Sequence, residues 1–172
     1  FSSLIECRDY LVSNGVFSLE KCPGCGFVFT NPRPDNNNLG DYYKSTDYIS
    51  HSRRFRSISE RIYHTVRNHM LKKKTGMLAP WTIRGNRVLD YGCGTGSFLK
   101  TLETAGYEAV GVEPEKTARD FALEGGLNVK TGLDEILRAY GADFHAITMW
   151  HVLEHLPDPM ETLKHFHSLL TD

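Results

Sequence analysis

Val88-Leu89-Asp90-Tyr91-Gly92-Cys93-Gly94-Thr95-Gly96-Ser97 decides how the rest of this sequence is read. A short apolar run ends in an acid, three glycines alternate with other residues, and a helical pattern, Ser97 to Ala105, follows. Glycine tolerates left-handed dihedrals and lets another group approach the backbone. The spacing therefore predicts a tight turn from a strand into a helix. The start of that helix presents unpaired N–H groups to a ligand.

Two ligand classes use such a turn. Dinucleotide binders carry G-x-G-x-x-G, with a pyrophosphate against the helix end. Here the third glycine is Gly96 and the position that pattern requires is Ser97. Asp90, just before the turn, would repel a pyrophosphate and suits a cationic or amine-bearing ligand. A second apolar run, Ala109 to Val112, ends in Glu113, about one crossover further along. A carboxylate at the end of the second strand is placed to accept both ribose hydroxyls. S-adenosylmethionine matches this set: a nucleoside with a sulfonium, an α-amino group and no phosphate.

Around that stretch the sequence alternates. Strands are predicted at 87–90, 109–113, 127–130 and 144–149, and helices at 97–105, 115–124, 134–139 and 159–170. Such alternation predicts an α/β fold, a parallel sheet covered by helices with right-handed crossovers. Four strands leave an exposed edge, so a continuation past Asp172 or a covering partner is expected. The first residue is Phe1 rather than Met, which reads as a chain cut at its front.

Upstream the composition differs, rich in Cys, Tyr, Asn and Arg. Val16 to Leu19 and Phe27 to Phe29 read as a small hairpin around Cys22-Pro23-Gly24-Cys25, ended by Asn31-Pro32-Arg33-Pro34. The Cys22/Cys25 spacing resembles one knuckle of a zinc ribbon, and Cys7 is the only other cysteine nearby. A short helix over 39–43 is expected, and Tyr42, Tyr43 and Tyr48 are candidates for a lid or a packing surface. From 53 to 74, Phe55, Ile58, Ile62, Val66 and Met70 recur at helical spacing, and the interleaved basic residues read as a solvated outer face. The expected segments are 1–35 (an incomplete zinc-ribbon-like piece), 36–84 (a helical linker or lid) and 85–172 (the cofactor-binding domain).

The 172 residues carry 20 basic and 21 acidic side chains, a balance that argues for neither a nucleic-acid nor a membrane partner. No apolar run reaches the roughly 18 residues of a membrane span. The cysteine usage and the lack of a signal peptide point to a reducing cytoplasm.

The stretches 88–96, Gly111-Val112-Glu113-Pro114 and Phe144 to Leu156 resemble class I S-adenosylmethionine-dependent methyltransferases. The group in view includes the ubiquinone-biosynthesis O-methyltransferases and the zinc-ribbon-bearing deoxysugar methyltransferases. The resemblance covers about residues 85–172 and implies a Rossmann-like domain, normally of seven strands. It implies cofactor contacts from Asp90, Gly92, Cys93, Gly94, Gly96, Glu113, Pro114, Gly132, Leu133, Met149 and His151. The three glycines would lie near the methionine moiety, Glu113 on the ribose, Gly132 and Leu133 beside the adenine, and Met149 to His151 at the methyl-transfer site. It also implies a Cys pair upstream of Cys22 and Cys25 to complete a structural zinc site. His151, Glu154 and His155, at i, i+3 and i+4, share one face if this is a helical turn and are then the catalytic candidates, as a general base or metal group; the other reading, which is preferred, is that Glu154 and His155 fix the turn at the strand end by hydrogen bonds. Where this group carries Glu at the first of these positions, this sequence has His151. The expected acceptor is a small molecule or a saccharide. The alternatives are an NAD(P)-dependent oxidoreductase and a non-catalytic zinc-ribbon/Rossmann binding module.

Overall fold

A computed structural model describes residues 1–10, 12–34 and 58–171 and divides the chain into two units, Phe1–Phe55 and Arg56–Asp172. The expected helix at 39–43, the three tyrosines and the start of the 53–74 helix lie outside the described residues.

The front unit is an antiparallel sheet of β1 (Ser2–Arg8), β2 (Val16–Lys21) and β3 (Val28–Asn31), in that order. The predicted hairpin is thus joined by a third strand that the sequence reading missed. Leu4 and Ile5 are adjacent and both exposed, and the register with β2 shifts between Ser3 and Ile5. β1 therefore lacks the alternation of a strand with one buried face.

In the second unit α1 (Ile58–Gly76) precedes β4 (Arg87–Tyr91), α2 (Ser97–Ala105), β5 (Glu108–Val112), α3 (Lys116–Glu124), β6 (Val129–Lys130), α4 (Leu133–Tyr140), β7 (Ala146–Thr148) and α5 (Pro159–Leu169). The strand order is β6-β5-β4-β7 and every pair is parallel. Strand alternation sends side chains to two cores. Val88, Ala109 and Val129 pack with Phe98, Leu99 and Leu102 of α2, Ala122 of α3 and Leu71 of α1. Leu89, Val110 and Val112 pack with Ile136 of α4 and Phe166 and Leu169 of α5. Helices therefore cover both faces, as the alternation required.

The strands at 127–130 and 144–149 are shorter than expected. Phe144, ahead of β7, pairs instead with the segment after α5: its amide donates to Leu169 O and its carbonyl accepts from Thr171 N. That segment begins to cover the β7 edge. The apolar stripe expected on α1 also differs. Val66 and Met70 are exposed, while Leu71 meets the core. Two basic residues of the supposed outer face, Arg67 and Lys74, turn inward: Arg67 donates to Ser97 Oγ of α2, and Lys74 reaches the edge described next.

Candidate functional site at the strand ends

Parallel strands put all four C-terminal ends on one edge, and the order reverses at β4, which has β5 on one side and β7 on the other. A reversal of this kind opens a crevice beyond the strand ends. The glycine turn lies there. Gly92, Gly94 and Gly96 have φ of 77°, 55° and 78°, the left-handed region that glycine occupies without strain. Two of them are also needed for close packing. A Cβ on Gly92 would collide with Val152, and one on Gly96 with Leu127.

The amides of the turn are already engaged. Gly92 N and Cys93 N donate to Val112 O at 2.8 and 3.0 Å, and Gly96 N to Cys93 O at 3.0 Å. Gly94 N donates to Glu113 Oε2 at 2.8 Å. The row of free N–H groups that cradles a pyrophosphate is absent from these four positions, and a carboxylate stands against the turn instead.

Glu113 follows β5 and is 8% exposed. Its Oε1 accepts from Glu115 N at 2.9 Å. A carboxylate has about four lone-pair sites, so two backbone bonds fix its orientation and leave acceptor capacity for a ligand. Arg119 of α3 donates to the Glu113 and Pro114 carbonyls at 2.7 and 2.8 Å, holding the turn that carries it. Glu115 caps α3, accepting from Thr117 N and Ala118 N.

Asp90, at the end of β4, is 3% exposed. Burial pushes its carboxyl up to about 7, against the Thr148 hydroxyl and the charge of Lys74, which favour the carboxylate. Thr148 Oγ1 lies 2.7 Å from Asp90 Oδ1. Lys74 Nζ stands 4.3 Å from the centroid of the Trp150 ring, which meets Phe98 edge-on. Trp150 Nε1 is buried and, among the described residues, has no hydrogen-bond partner.

The remaining predicted residues divide. Gly132 caps the start of α4 at the same edge. Leu133 and Met149, also there, pack against the α4/α5 core. The Cys93 thiol is buried in the other core, 2.6 Å from where a Gly111 Cβ would stand, so its side chain fills space under the turn and only its backbone faces the crevice edge. The shared helical face of His151, Glu154 and His155 is a correction. Only Leu153–His155 is helical, a single 3₁₀ turn, and His151 precedes it with φ of 59°. The left-handed His151 breaks the helix that the i, i+3, i+4 argument needs. His151 Nδ1 approaches Glu154 Oε1 loosely, at 3.8 Å, with both side chains exposed.

In the front unit Cys22 and Cys25 lie in the turn between β2 and β3. Cys22 N donates to Phe27 O and Gly26 N to Cys22 O. The Cys25 amide, then that of Gly24, and the Cys25 thiol hold the Cys22 thiol below its usual range. Cys7 cannot join them. It pairs with Phe17, whereas the turn follows Lys21, so about 16 Å of strand separates it from Cys22. Among the described residues no group of three or more His, Cys, Asp or Glu is arranged to hold a metal, and no helix is long and apolar enough to cross a membrane.

Thr148, Val152, Lys74 and Arg119 escaped the sequence reading as site residues, while Trp150 lies inside the Met149-to-His151 stretch named for the methyl-transfer site. Thr148, Val152 and Lys74 act across the fold and carry no local spacing signal, whereas Arg119 bonds carbonyls only five and six residues before it. For Arg119 the hint was faint: a base one helical turn after an acid-capped start.

The family described as a methyltransferase domain matches residues 63–172. The ubiquinone biosynthesis O-methyltransferase of Hahella chejuensis is 35% identical over 86 residues, 46% of this chain and 36% of that protein. The one from Actinobacillus pleuropneumoniae is 32% identical over 97 residues, 50% and 42%. The chain thus spans less than half the length of these curated relatives. Among solved structures, a SAM-dependent methyltransferase from Archaeoglobus fulgidus is 27% identical with a TM-score of 0.50, over 67% of this chain and 54% of that one. The magnesium protoporphyrin IX methyltransferase of Synechocystis with bound SAM is 20% identical with a TM-score of 0.59, over 81% and 74%, a likeness of fold.

Proposed function

The chain belongs to the methyltransferase-domain family, and from that premise we propose that its second unit binds S-adenosylmethionine and serves methyl transfer to a small-molecule acceptor. The observation that carries the reading is the Glu113 carboxylate, tied by Gly94 and Glu115 across the strand ends with its remaining acceptor sites available. Glu113 would hold the ribose hydroxyls, Asp90 the charge of the methionine end, and the Gly132–Leu133 corner the adenine. The G-x-G-x-G spacing and the Asp90 and Glu113 carboxylates beside the turn favour a phosphate-free nucleoside over a nicotinamide dinucleotide.

The cofactor, when bound, supplies an electrophilic methyl on a sulfonium, so the protein's task is chiefly to orient an acceptor in line with it. His151 stands exposed at the β7 end, where it can border the acceptor and take a proton from a hydroxyl. The relatives named for ubiquinone biosynthesis favour a hydroxyl acceptor, and a saccharide hydroxyl is the second candidate. For the front unit, Cys22 and Cys25 are proposed as two ligands of a structural zinc, with the others from outside the described residues.

Calorimetric titration of the chain with S-adenosylmethionine, S-adenosylhomocysteine and NAD tests the reading. Uptake of the first two and not of NAD is expected, and Glu113→Ala should cost at least tenfold in affinity. Failure to take up either nucleoside overturns it.

A further inference from the structure

Asp90 and Thr148 are direct partners in the β4/β7 register, at the C-terminal ends of the two strands that flank the order reversal. Both side chains are buried, at 3% and 7% exposure. The Thr148 hydroxyl has two oxygen neighbours, Asp90 Oδ1 at 2.7 Å and the Leu89 carbonyl at 3.3 Å. A hydroxyl has one hydrogen and two lone pairs. It can therefore donate to only one of these oxygens at a time, and it can accept from a protonated carboxyl while donating to the carbonyl.

We propose that Thr148 is a positioning residue of the cofactor crevice, whose hydroxyl holds the Asp90 carboxyl in one orientation in both of its protonation states. When Asp90 is protonated, its O–H donates to Thr148 Oγ1 and the Thr148 hydrogen points to the Leu89 carbonyl. When Asp90 releases its proton to solvent, the Thr148 hydrogen turns to Asp90 Oδ1. The carboxyl does not have to move between the two arrangements, and β4 stays tied to β7 in each.

The charged groups felt by Asp90 are Lys74 of α1, which favours the carboxylate, and Glu113 beyond β5, which opposes it. The Cys93 thiol is its titratable neighbour in the glycine turn. A cationic ligand would add to the Lys74 side of this balance. Uptake of S-adenosylmethionine should then strengthen as pH rises through the Asp90 transition. This consequence rests on the cofactor reading above; the hydroxyl relay does not.

The test is a carbon-13 NMR titration of the aspartate carboxyls in the ligand-free chain, with Asp90 assigned by the signal that Asp90→Asn removes. Hydrogen bonds to a charged acceptor are the stronger kind, so losing the hydroxyl penalises the carboxylate more than the acid. Thr148→Val should raise the Asp90 midpoint by about one pH unit. Thr148→Ser should leave it within a few tenths, and Thr148→Ala repeats the test should the Val variant fail to fold. An unmoved midpoint in the hydroxyl-free variants, or an equal shift in Thr148→Ser, overturns the proposal. A merely structural threonine would lower the melting temperature without moving the midpoint. In a parallel titration with S-adenosylmethionine from pH 6 to 8, the affinity step should follow the midpoint into each variant. A chain that takes up no S-adenosylmethionine at any pH breaks the cofactor reading, and the ligand-free midpoint still decides the role of Thr148.

Discussion

The two sheets of this chain are held by different means. β4 and β5 present a nearly unbroken buried surface, whereas all seven residues of β1 are exposed and β2 and β3 contain no fully buried residue. Among the described residues, every buried hydrophobic side chain lies between Leu78 and Leu169. The parallel unit can thus be stabilised by removing apolar surface from water, at about 25 cal/mol per Å². The front sheet lacks that source, and three strands without a hydrophobic face are marginal in water. A crosslink such as a metal at the Cys22/Cys25 turn would supply what burial does not. The sharpest way to break this contrast is to truncate one side chain in each unit. Phe144→Ala, at 0% exposure and in contact with Tyr140, should cost about 3–5 kcal/mol in denaturant unfolding. Ile5→Ala, at 54% exposure, should cost under about 0.5 kcal/mol. Equal losses would mean that the front sheet has a core of its own.

The second test concerns a charge inside the well-packed unit. Asp90 has an ordinary value near 3.8 and is raised to about 7 in the fold, first by burial. A native state that binds the proton more tightly than the unfolded chain loses stability as pH rises between those values. The Asp90 contribution is therefore full below about pH 4 and lost between about 4 and 7. At pH 8 Asp90→Asn should stabilise the ligand-free chain by up to about 4 kcal/mol, and below pH 4 the two proteins should unfold alike. The same substitution should weaken S-adenosylmethionine uptake. Equal stability of the two proteins at pH 8 would show that Asp90 is solvated rather than buried.

A third test separates the turn from the core beneath it. Gly92→Ala combines a left-handed φ of 77° with a collision at Val152, and should cost about 2 kcal/mol and at least tenfold in cofactor affinity. Val152→Ala in the same chain should recover part of the affinity, because it removes the collision and leaves only the dihedral strain.

The contrast between the two units also bears on what could be read from the sequence. In the parallel unit, burial and periodicity coincide, so β4, α2, α3 and α5 fell within a residue or so of their predicted ends, and the glycine turn and Glu113 lie at the predicted edge. In the front unit no face is buried, so β1 left no alternation to find. Within the site, what was legible was local in sequence. Asp90 could be named because it precedes the glycines, but its partner Thr148 comes from a strand added after three further crossovers. Lys74 looked like one more charge on a basic helix. Only packing of α1 beside α2 brings it to Trp150. The His151, Glu154 and His155 spacing misled because it presumes continuous helix, and one left-handed residue removes the premise.

The smallest expected effect compares the two edges of the parallel sheet through their arginines. Arg87 begins β4, pairs with Glu108 at 2.9 Å and with Asp143, and lies over the Tyr140 ring, all at the edge opposite the strand ends. Arg119 holds the Glu113–Pro114 carbonyls at the ligand edge. Both partners of Arg87 are about half exposed, so its pairs are worth little individually and its contribution is to stability alone. Arg119→Ala should cost about 1 kcal/mol, read as roughly a fivefold loss of S-adenosylmethionine affinity with little change in melting temperature. Arg87→Ala should do the reverse, lowering the melting temperature by a few degrees and leaving the affinity unchanged. The division follows from topology. Parallel strands gather the ligand-facing turns at one edge and leave the other with only the sheet to hold together. An Arg87→Ala protein that lost cofactor affinity as Arg119→Ala does would mean that the two edges are coupled through β4.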